Sequence, residues 1–397
     1  MTFRRHPPRA ALAALVVGFG AIASCDPPAV EGASGPRWAR ASAEAFSTPD
    51  DAAWRVSCAR SHYLDDDPIV FPGRPGAAHK HVFFGNTKVD ANSTAASIRT
   101  TGNSTCDGGT LNRTGYWVPA IIDVARSTVI DTAPIYDALQ VYYKSGYKGV
   151  HPRTIVQLPE GLRMIAGDTA SPDKTWWNCL RTPHAQDVVP DAANRTNFPT
   201  IPQHCQPGQY LQLVVEFPQC WDGVRLDSPD HRSHMAYGLG WPDRGCPSTH
   251  PVPLVQITEH FRWLVPTAGT PIEPYKPACL AAWPRFDPYS PDHGWGPPST
   301  WPRDVPGCPV HPQVRVRDLY LSSDTDRQMP GGTSAHADWF NGWDRPTMEK
   351  VTRVCINGER DCRIGLVPFP PGQAPIATSD QDPAYDWVQL GAATPWP

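Results

Sequence analysis

Apolar and polar residues alternate along several short segments of this chain. The clearest segment is 211–217, where Leu211, Leu213, Val215 and Phe217 are separated by single residues. A period of two is typical of a strand with one buried face. Residues 139–144 repeat this pattern. Further candidate strands are 117–122, 252–258, 261–264 and 314–321.

One segment has a helical pattern instead. Pro346 suits the first turn of a helix, and Met348, Val351 and Cys355 then fall on one helical face. Turn residues separate the candidate strands at short intervals. The pattern therefore predicts a mainly β protein: a β-sandwich-like or jelly-roll-like single large domain with long ordered loops and few helices.

Composition sharpens this prediction and excludes one class of partner. The chain has 47 prolines and 15 tryptophans in 397 residues. So much proline is incompatible with long helices over most of the chain. The net charge is −4, and no long basic run is present, so no nucleic-acid partner is expected.

The N-terminus predicts export. Arg4, Arg5 and Arg9 precede an uncharged apolar stretch at 10–23, which is too short for a comfortable transmembrane helix and suits a signal peptide. The stretch ends in Ala23-Ser24-Cys25, which is similar to a bacterial lipobox, although ordinary secretion is the alternative. We expect residues 1–25 to be a lipoprotein signal peptide with lipidation at Cys25. The protein would then be a membrane-anchored lipoprotein or extracellular.

Composition also divides the rest of the chain. Residues 26–50 are rich in Pro, Ala, Ser and Gly and predict a flexible tether, followed by a β-rich domain over 51–365. Within that domain, 265–312 predicts an ordered insertion rich in Pro and Trp. Residues 366–397 predict a Pro-rich C-terminal tail.

The cysteines predict disulfides. Without Cys25, ten of the 11 cysteines remain, which is an even number, and no Cys-x-x-Cys pair occurs among them. Cys355 and Cys362 flank Asn357-Gly358, a turn signal that favours a local bridge. The other eight are Cys58, Cys106, Cys179, Cys205, Cys220, Cys246, Cys279 and Cys308.

Three segments concentrate histidine, acid and tryptophan: 79–86, 227–235 and 336–344. His79 and His81 share a face if their segment is extended, as do His336 and Asp338. His231 and His234 would share a face in a helical turn. The alternative for each segment is a structural role, as part of a hydrogen-bonded loop or of the core. Three such clusters together nevertheless predict one assembled site.

The side chains of these clusters suggest roles in catalysis, substrate binding and metal binding. Imidazoles and carboxylates serve as acid, base or metal ligand, and indoles beside amides and acids suit a sugar cleft. The candidate catalytic residues are His79, His81, Asp230, His231, His234, His336 and Asp338. The candidate substrate-binding residues are Trp117, Trp221, Arg232, Trp339, Asn341, Trp343 and Asp344. A divalent metal ion is the candidate cofactor, with His79, His81, His231 and His234 as candidate ligands.

Several long motifs occur in a fixed order along the chain. They are Asp67-Pro68-Ile69-Val70, the 79–85 segment, Tyr116-Trp117-Val118-Pro119, 161–167, 217–223, 227–237, Cys246-Pro247 with His250-Pro251, and 336–344. From about Cys58 to Cys362 this series resembles the DUF1996 family of exported bacterial and fungal proteins, which has no agreed function. Residues 265–312 and 322–326 depart from the family pattern, at places that could reshape the rim of a site.

Three functions fit these features. The first is an enzyme that acts on extracellular or cell-wall polysaccharide as a hydrolase or lyase, for which Asp230 and Asp338 are the carboxylate pair to test. The second is a non-catalytic module that binds a glycan or wall polymer. The third is a metal-binding or purely structural histidine network.

Overall fold

The alternating segments become strands of two large sheets. The computed structural model describes residues 52–133, 137–145, 149–167, 174–183, 185–239, 244–268, 313–364 and 386–388. The predicted signal peptide and tether lie outside the described residues, as do most of the 265–312 insertion and most of the tail. The predicted mainly β fold with few helices is confirmed, and the described residues belong to one unit.

The larger sheet has seven strands. Most of its neighbouring strands are antiparallel although few of them are consecutive in the chain, whereas the strand Asp361–Ile364 pairs in parallel with both Ala53–Cys58 and Asp386–Val388. In spatial order the strands are β18 (Asp386–Val388), β17 (Asp361–Ile364), β1 (Ala53–Cys58), β7 (Leu139–Lys144), β14 (Gln256–Leu264), β10 (Tyr210–Glu216) and β9 (Thr175–Leu180).

The smaller of the two main sheets has five antiparallel strands and carries two of the three histidine segments. Its spatial order is β2 (Arg60–Leu64), β3 (His81–Gly85), β4 (Gly115–Pro119), β16 (Ala337–Phe340) and β8 (Arg163–Ala166). Two three-stranded sheets complete the β structure. One contains β12 (Met235–Ala236), β11 (Cys220–Trp221) and β13 (Val252–Pro253), and the other β15 (Leu319–Leu321), β5 (Ile121–Asp123) and β6 (Thr128–Ile130).

Helical structure is short. Helix α1 (Ser97–Thr100) is a single turn, and α2 (Arg345–Val351) is the predicted helix, with a π-helical turn at Thr352–Ile356 after it. Asp344 caps α2 by accepting a hydrogen bond from the Thr347 N–H. None of the helices in the described part of the chain is long and apolar enough to span a bilayer.

The main core lies between the two large sheets. Phe84 on β3 packs against Phe261 on β14, with ring centroids 5.5 Å apart. The hydroxyl of Tyr116 on β4 hydrogen-bonds to that of Tyr143 on β7 at 2.7 Å. These contacts make the two sheets a sandwich, in which alternate residues of each strand face the partner sheet.

A second, smaller core covers the opposite face of the five-stranded sheet. Phe83 and Trp117 form its floor, and Ile69, Val89 and Ile98 from the chain between β2 and β4 form its cover. His81 on β3 and Asp338 on β16 are also buried on this face of the sheet.

Strand β10 departs from the prediction of a half-buried strand. Its second face is also buried, with Gln212 only 2% exposed. Gln212 donates a hydrogen bond to Asn178 on β9 and accepts one from Arg262 on β14. Polar residues alternate here because the outer face buries a hydrogen-bonded network, not because it faces water.

Four disulfides close the described chain: Cys58–Cys106, Cys179–Cys205, Cys220–Cys246 and Cys355–Cys362. The predicted local bridge between Cys355 and Cys362 is confirmed, whereas Cys279 and Cys308 lie outside the described residues. Paired cysteines indicate that the protein folds in an oxidising environment.

Candidate functional site

Strand register brings the first and third histidine segments together. His81 opens β3 and lies opposite Pro119 of β4, while Asp338 on β16 lies opposite Trp117 of the same strand. Because β3 and β16 flank β4, His81 and Asp338 are two strands apart on one face. His336 precedes Asp338 by two residues and emerges beside it.

The alternation of each strand decides which side chains reach this face. Val82 and Phe84 of β3 enter the core between the sheets, so His81 and Phe83 point the other way. On β16, Ala337 and Trp339 enter that core, so Asp338 faces the site.

Asp67 completes the cluster from the loop that follows β2. Its Oδ1 accepts hydrogen bonds from the N–H groups of Ile69 at 2.7 Å and Val70 at 2.9 Å. These bonds fix the orientation of the carboxylate. The neighbouring Asp66 carbonyl contacts His81, so this loop positions two members of the cluster.

Five side chains converge. One nitrogen from each of His79, His81 and His336 lies within 4.8 Å of the other two, and so do the donor atoms of Asp67, His81 and Asp338. The ring centroids of His79 and His81 are 4.2 Å apart, and those of His79 and His336 are 5.2 Å apart. His336 Nε2 is 3.8 Å from Asp338 Oδ2. His81 is shared by both groups and lies at their centre.

Hydrogen bonds fix the orientation of two rings. His81 Nδ1 donates to the Asp66 carbonyl at 2.9 Å, and His336 Nδ1 donates to the Ser334 carbonyl at 2.8 Å. A neutral imidazole has one donor and one acceptor nitrogen, so Nε2 of each ring carries the lone pair. Both rings therefore present an acceptor to the cluster.

The atoms that face the cluster lack partners. His79 Nε2, His81 Nε2 and both carboxylate oxygens of Asp338 are buried and make no hydrogen bond. His81 and Asp338 are 0% exposed and Asp67 is 4% exposed. Burying polar atoms without partners costs free energy, so folded proteins rarely leave several of them in one place without a functional reason.

Burial shifts the titration of these groups in a consistent way. It lowers the pKa of His336 to about 4 and that of His81 well below the ordinary value, and neighbouring imidazoles add to both shifts. Burial also raises the pKa of Asp338 well above the ordinary value, and Asp67 adds to this rise. At neutral pH the imidazoles are neutral and can donate electron pairs.

The cluster is most open beside two of the histidines. His79 and His336 are half-buried, whereas His81, Asp67 and Asp338 are buried. Lys80 pairs with the exposed Asp65 at 2.8 Å next to this opening. A small molecule would therefore reach the cluster from the side of His79 and His336.

The 227–235 segment forms a loop along the outer edge of β8. Arg232 donates from its two terminal nitrogens to the carbonyls of Ile165 and Gly167 at 3.2 and 3.1 Å. His234 Nε2 hydrogen-bonds to the Arg163 carbonyl at 2.7 Å and its Nδ1 to Ser228 Oγ at 2.9 Å. With both nitrogens engaged, His234 fastens the loop to the sheet and has no lone pair to offer.

His231 occupies an unusual place on the same loop. Its backbone has φ of 56°, a left-handed conformation that is strained for a residue other than glycine. Its Nδ1 lies 3.0 Å from an oxygen of Asp227. Neither His231 nor His234 belongs to a group of three convergent metal-ligating side chains in the described ranges.

Asp230, a predicted catalytic residue, caps the turn of this loop. Its Oδ1 accepts hydrogen bonds from the Ser233 and Arg232 N–H groups and from the Ser228 hydroxyl. These bonds hold the pKa of the exposed Asp230 well below its usual range. The carboxylate beside Asp338 in the structure is Asp67 rather than Asp230.

The predicted sugar-stacking tryptophans are mostly core residues. Trp117 and Trp339 are 0% exposed and Trp343 is 1% exposed, so none has a ring face open to solvent. Trp221 is half-buried and donates from its indole nitrogen to the Arg225 carbonyl. Asn341 is buried and donates to the Pro159 carbonyl at 2.7 Å, and Asp344 is the cap of α2.

Sequence reasoning assigns no role to two relevant acids. Asp67 belongs to a family motif, but a motif alone does not show that a loop residue reaches β3 and β16. Glu259 on β14 is fully buried with both carboxylate oxygens unpartnered. Burial, reinforced by Asp338, raises its pKa well above the usual value. On the face of β14 that carries Ile257, Phe261 and Trp263, Glu259 is the charged exception.

Comparison with known proteins gives a family but no named relative. No curated protein matches the chain, and no solved structure matches it. A family model described as a domain of unknown function, DUF1996, matches residues 67–281 and thus includes Asp67, His79 and His81. That range is more than half of the chain, so the protein belongs to the DUF1996 family.

Proposed function

We propose that this protein is an exported, lipid-anchored enzyme of the cell envelope that cleaves extracellular polysaccharide as a hydrolase or lyase. One observation carries the proposal: five acid–base side chains converge, and the facing atoms of His79, His81 and Asp338 are buried without hydrogen-bond partners. Histidine and aspartate are the side chains that most often transfer protons or hold reactive ions in enzymes.

A purely structural network explains the cluster less well. In such a network the imidazoles and carboxylates would hydrogen-bond to one another, as His234 does with Ser228 and the Arg163 carbonyl. His81 Nε2 and the Asp338 oxygens instead remain unpartnered at 0% exposure. Their arrangement has a stability cost, which is typical of sites selected for chemistry.

A non-catalytic glycan-binding module is the second candidate. Such modules stack sugars on exposed aromatic rings, and the buried Trp339 and Trp343 cannot do this as they are placed. The polysaccharide substrate is an inference from the predicted export and from the two neighbouring carboxylates, Asp67 and Asp338. Pairs of this kind cleave glycosidic bonds in many hydrolases.

The activity is tested with a panel of neutral and acidic bacterial and fungal polysaccharides. We expect new reducing ends from at least one polymer, and an unsaturated, ultraviolet-absorbing product if the enzyme is a lyase. His336→Ala and Asp338→Asn should abolish product formation while the protein stays folded. His250→Ala is the matched control, because the ring of His250 bonds to Thr249 and Ser233, outside the cluster. Saturable binding without product would favour the binding module.

The lipid anchor is tested separately at Cys25. We expect the wild-type chain to partition with membranes and to incorporate labelled fatty acid when it is exported. Cys25→Ser should abolish both, while activity on soluble substrate should remain. Release of the wild-type chain into the medium without label would show ordinary secretion instead of lipid anchoring.

A further inference from the structure

We propose that His79, His81 and His336 bind one divalent transition-metal ion through their Nε2 atoms, with Asp338 as the carboxylate ligand. The nitrogens of the three rings already lie within 4.8 Å of one another. Donors about 2 Å from one tetrahedral ion lie about 3.3 Å apart, so the rings would have to close by at most about 1.5 Å to bind it. Metal binding is measured without substrate, so this proposal can stand or fall apart from the proposed polysaccharide cleavage.

The hydrogen bonds behind two of the rings have the arrangement that metal-binding histidines need. The Nδ1–H groups of His81 and His336 are held by the carbonyls of Asp66 and Ser334. Such bonds fix the tautomer and aim the Nε2 lone pair at an ion. Because two of the three rings are already held in this orientation, the entropic cost of binding is lower.

The unpartnered atoms point to a ligand rather than to packing. His81 Nε2 and both oxygens of Asp338 are fully buried, and no neighbouring donor or acceptor satisfies them. Asp67 brings a second buried carboxylate to the same place. A divalent ion would accept the lone pairs of the imidazoles and of the Asp338 carboxylate at once.

The donor set selects the class of ion. Three imidazoles with one carboxylate suit zinc and the neighbouring ions cobalt, nickel and copper. Calcium and magnesium prefer cages made almost wholly of oxygen. We therefore expect zinc, or another ion of this group, to bind far more tightly than calcium or magnesium.

The geometry also distinguishes the proposed metal ligands from the other two candidate histidines. His231 and His234 lie outside the convergent groups, and both nitrogens of His234 are already hydrogen-bonded. His79 and His336 are half-buried and line the open side, so an ion can enter there.

The test uses the full chain, exported by the expression host and purified without chelator or immobilised metal. Metal content is measured by mass spectrometry, and zinc is titrated calorimetrically into protein stripped with a chelator. We expect one zinc per chain, and affinity at least about 100-fold lower in His79→Ala and His336→Ala. His250→Ala should bind like the wild type. Cobalt substitution should give the visible absorption of a low-coordinate site.

Several outcomes would overturn the proposal. One is a stripped wild-type chain that takes up no zinc. Another is zinc binding that persists unchanged in both histidine variants, which would place the ion elsewhere. Asp338→Asn guards against misfolding as an explanation, because it removes the ligand charge with little change of shape. Thermal stabilisation by zinc should be large in the wild type and much smaller in this variant.

Discussion

The buried polar groups on the two faces of strand β16 differ in whether they have hydrogen-bond partners. On the inner face, the indole nitrogens of Trp339 and Trp343 donate to the Tyr143 hydroxyl at 3.4 and 3.2 Å, and that hydroxyl also bonds to Tyr116. On the outer face, Asp338 has no hydrogen-bond partner for either oxygen. Both faces are equally buried, so solvent does not explain the difference. The inner face is arranged for stability, and the outer face keeps donor atoms available.

The largest effect should come from the inner face. Trp339→Ala would leave a cavity between the two sheets and unpair part of the Tyr143 network, so we expect a loss of about 3–5 kcal/mol of unfolding free energy. Urea unfolding followed by tryptophan fluorescence measures it. Trp339→Phe should lose less, because it keeps most of the ring volume. A loss below about 1 kcal/mol in the alanine variant would contradict this account of the inner face.

His234 and His79, which lie on loops, extend this comparison between hydrogen-bonded and unpartnered polar side chains. His234 is fully buried with both nitrogens bonded, so His234→Ala should cost about 2–3 kcal/mol and leave buried partners unsatisfied. His79 is half-buried with an unpartnered Nε2, so His79→Ala should cost less than about 1 kcal/mol in metal-free protein. Melting temperatures of the two stripped variants decide this. Equal losses would remove the distinction between a structural and a ligating histidine.

Glu259 is the exception on the inner face and gives a test by pH. Its pKa is raised by burial, so between the unfolded value of 4.5 and the higher folded value the folded chain keeps a proton that the unfolded chain has lost. Its contribution to stability therefore falls as pH rises through this window. Glu259→Gln should remove this slope and stabilise the protein by about 1–2 kcal/mol at alkaline pH. Denaturant titrations of both proteins at acidic and alkaline pH measure it, and parallel pH profiles would contradict it.

The smallest effect should come from Asp230. This exposed carboxylate caps a turn, so Asp230→Ala should cost about 0.5–1 kcal/mol and leave zinc affinity unchanged. Calorimetry with zinc and thermal melts check both expectations. A large drop in affinity would mean that the 227–235 loop contributes directly to the cluster.

Local pattern is enough to predict some of the strands and several site residues. The period of two predicts β7 and β10 nearly to their ends, and it correctly puts His336 and Asp338 on one face. The same rule places Trp339 on the opposite face from Asp338, and so argues for a buried Trp339. A composition typical of sugar clefts favours an exposed Trp339 instead, and the periodicity is the better guide.

Strand register and loop positions cannot be predicted from the pattern of neighbouring residues. Whether His81 meets Asp338 depends on both β3 and β16 pairing with β4, across more than 200 residues of chain. Asp67 reaches the cluster only because its loop folds back over β3 and is tied by Ile69 and Val70. Such long-range pairings leave no mark in a window of a few residues, so the cluster can be suspected from the sequence but not assembled from it.

The bridge between Cys58 and Cys106 encloses the stretch of chain that carries Asp67, His79 and His81, while His336 and Asp338 come much later in the chain, before and on β16. Closing a loop of 48 residues restricts the unfolded chain by about 4 kcal/mol on the chain-entropy estimate. Before that bond forms, the segment that carries Asp67, His79 and His81 is less restricted. Maturation should therefore follow an order, with thiol oxidation first and ion capture second. With the proposed metal site, a chain whose cysteines are still reduced would compete poorly for the ion, and loading would depend on the ions present where the disulfides form.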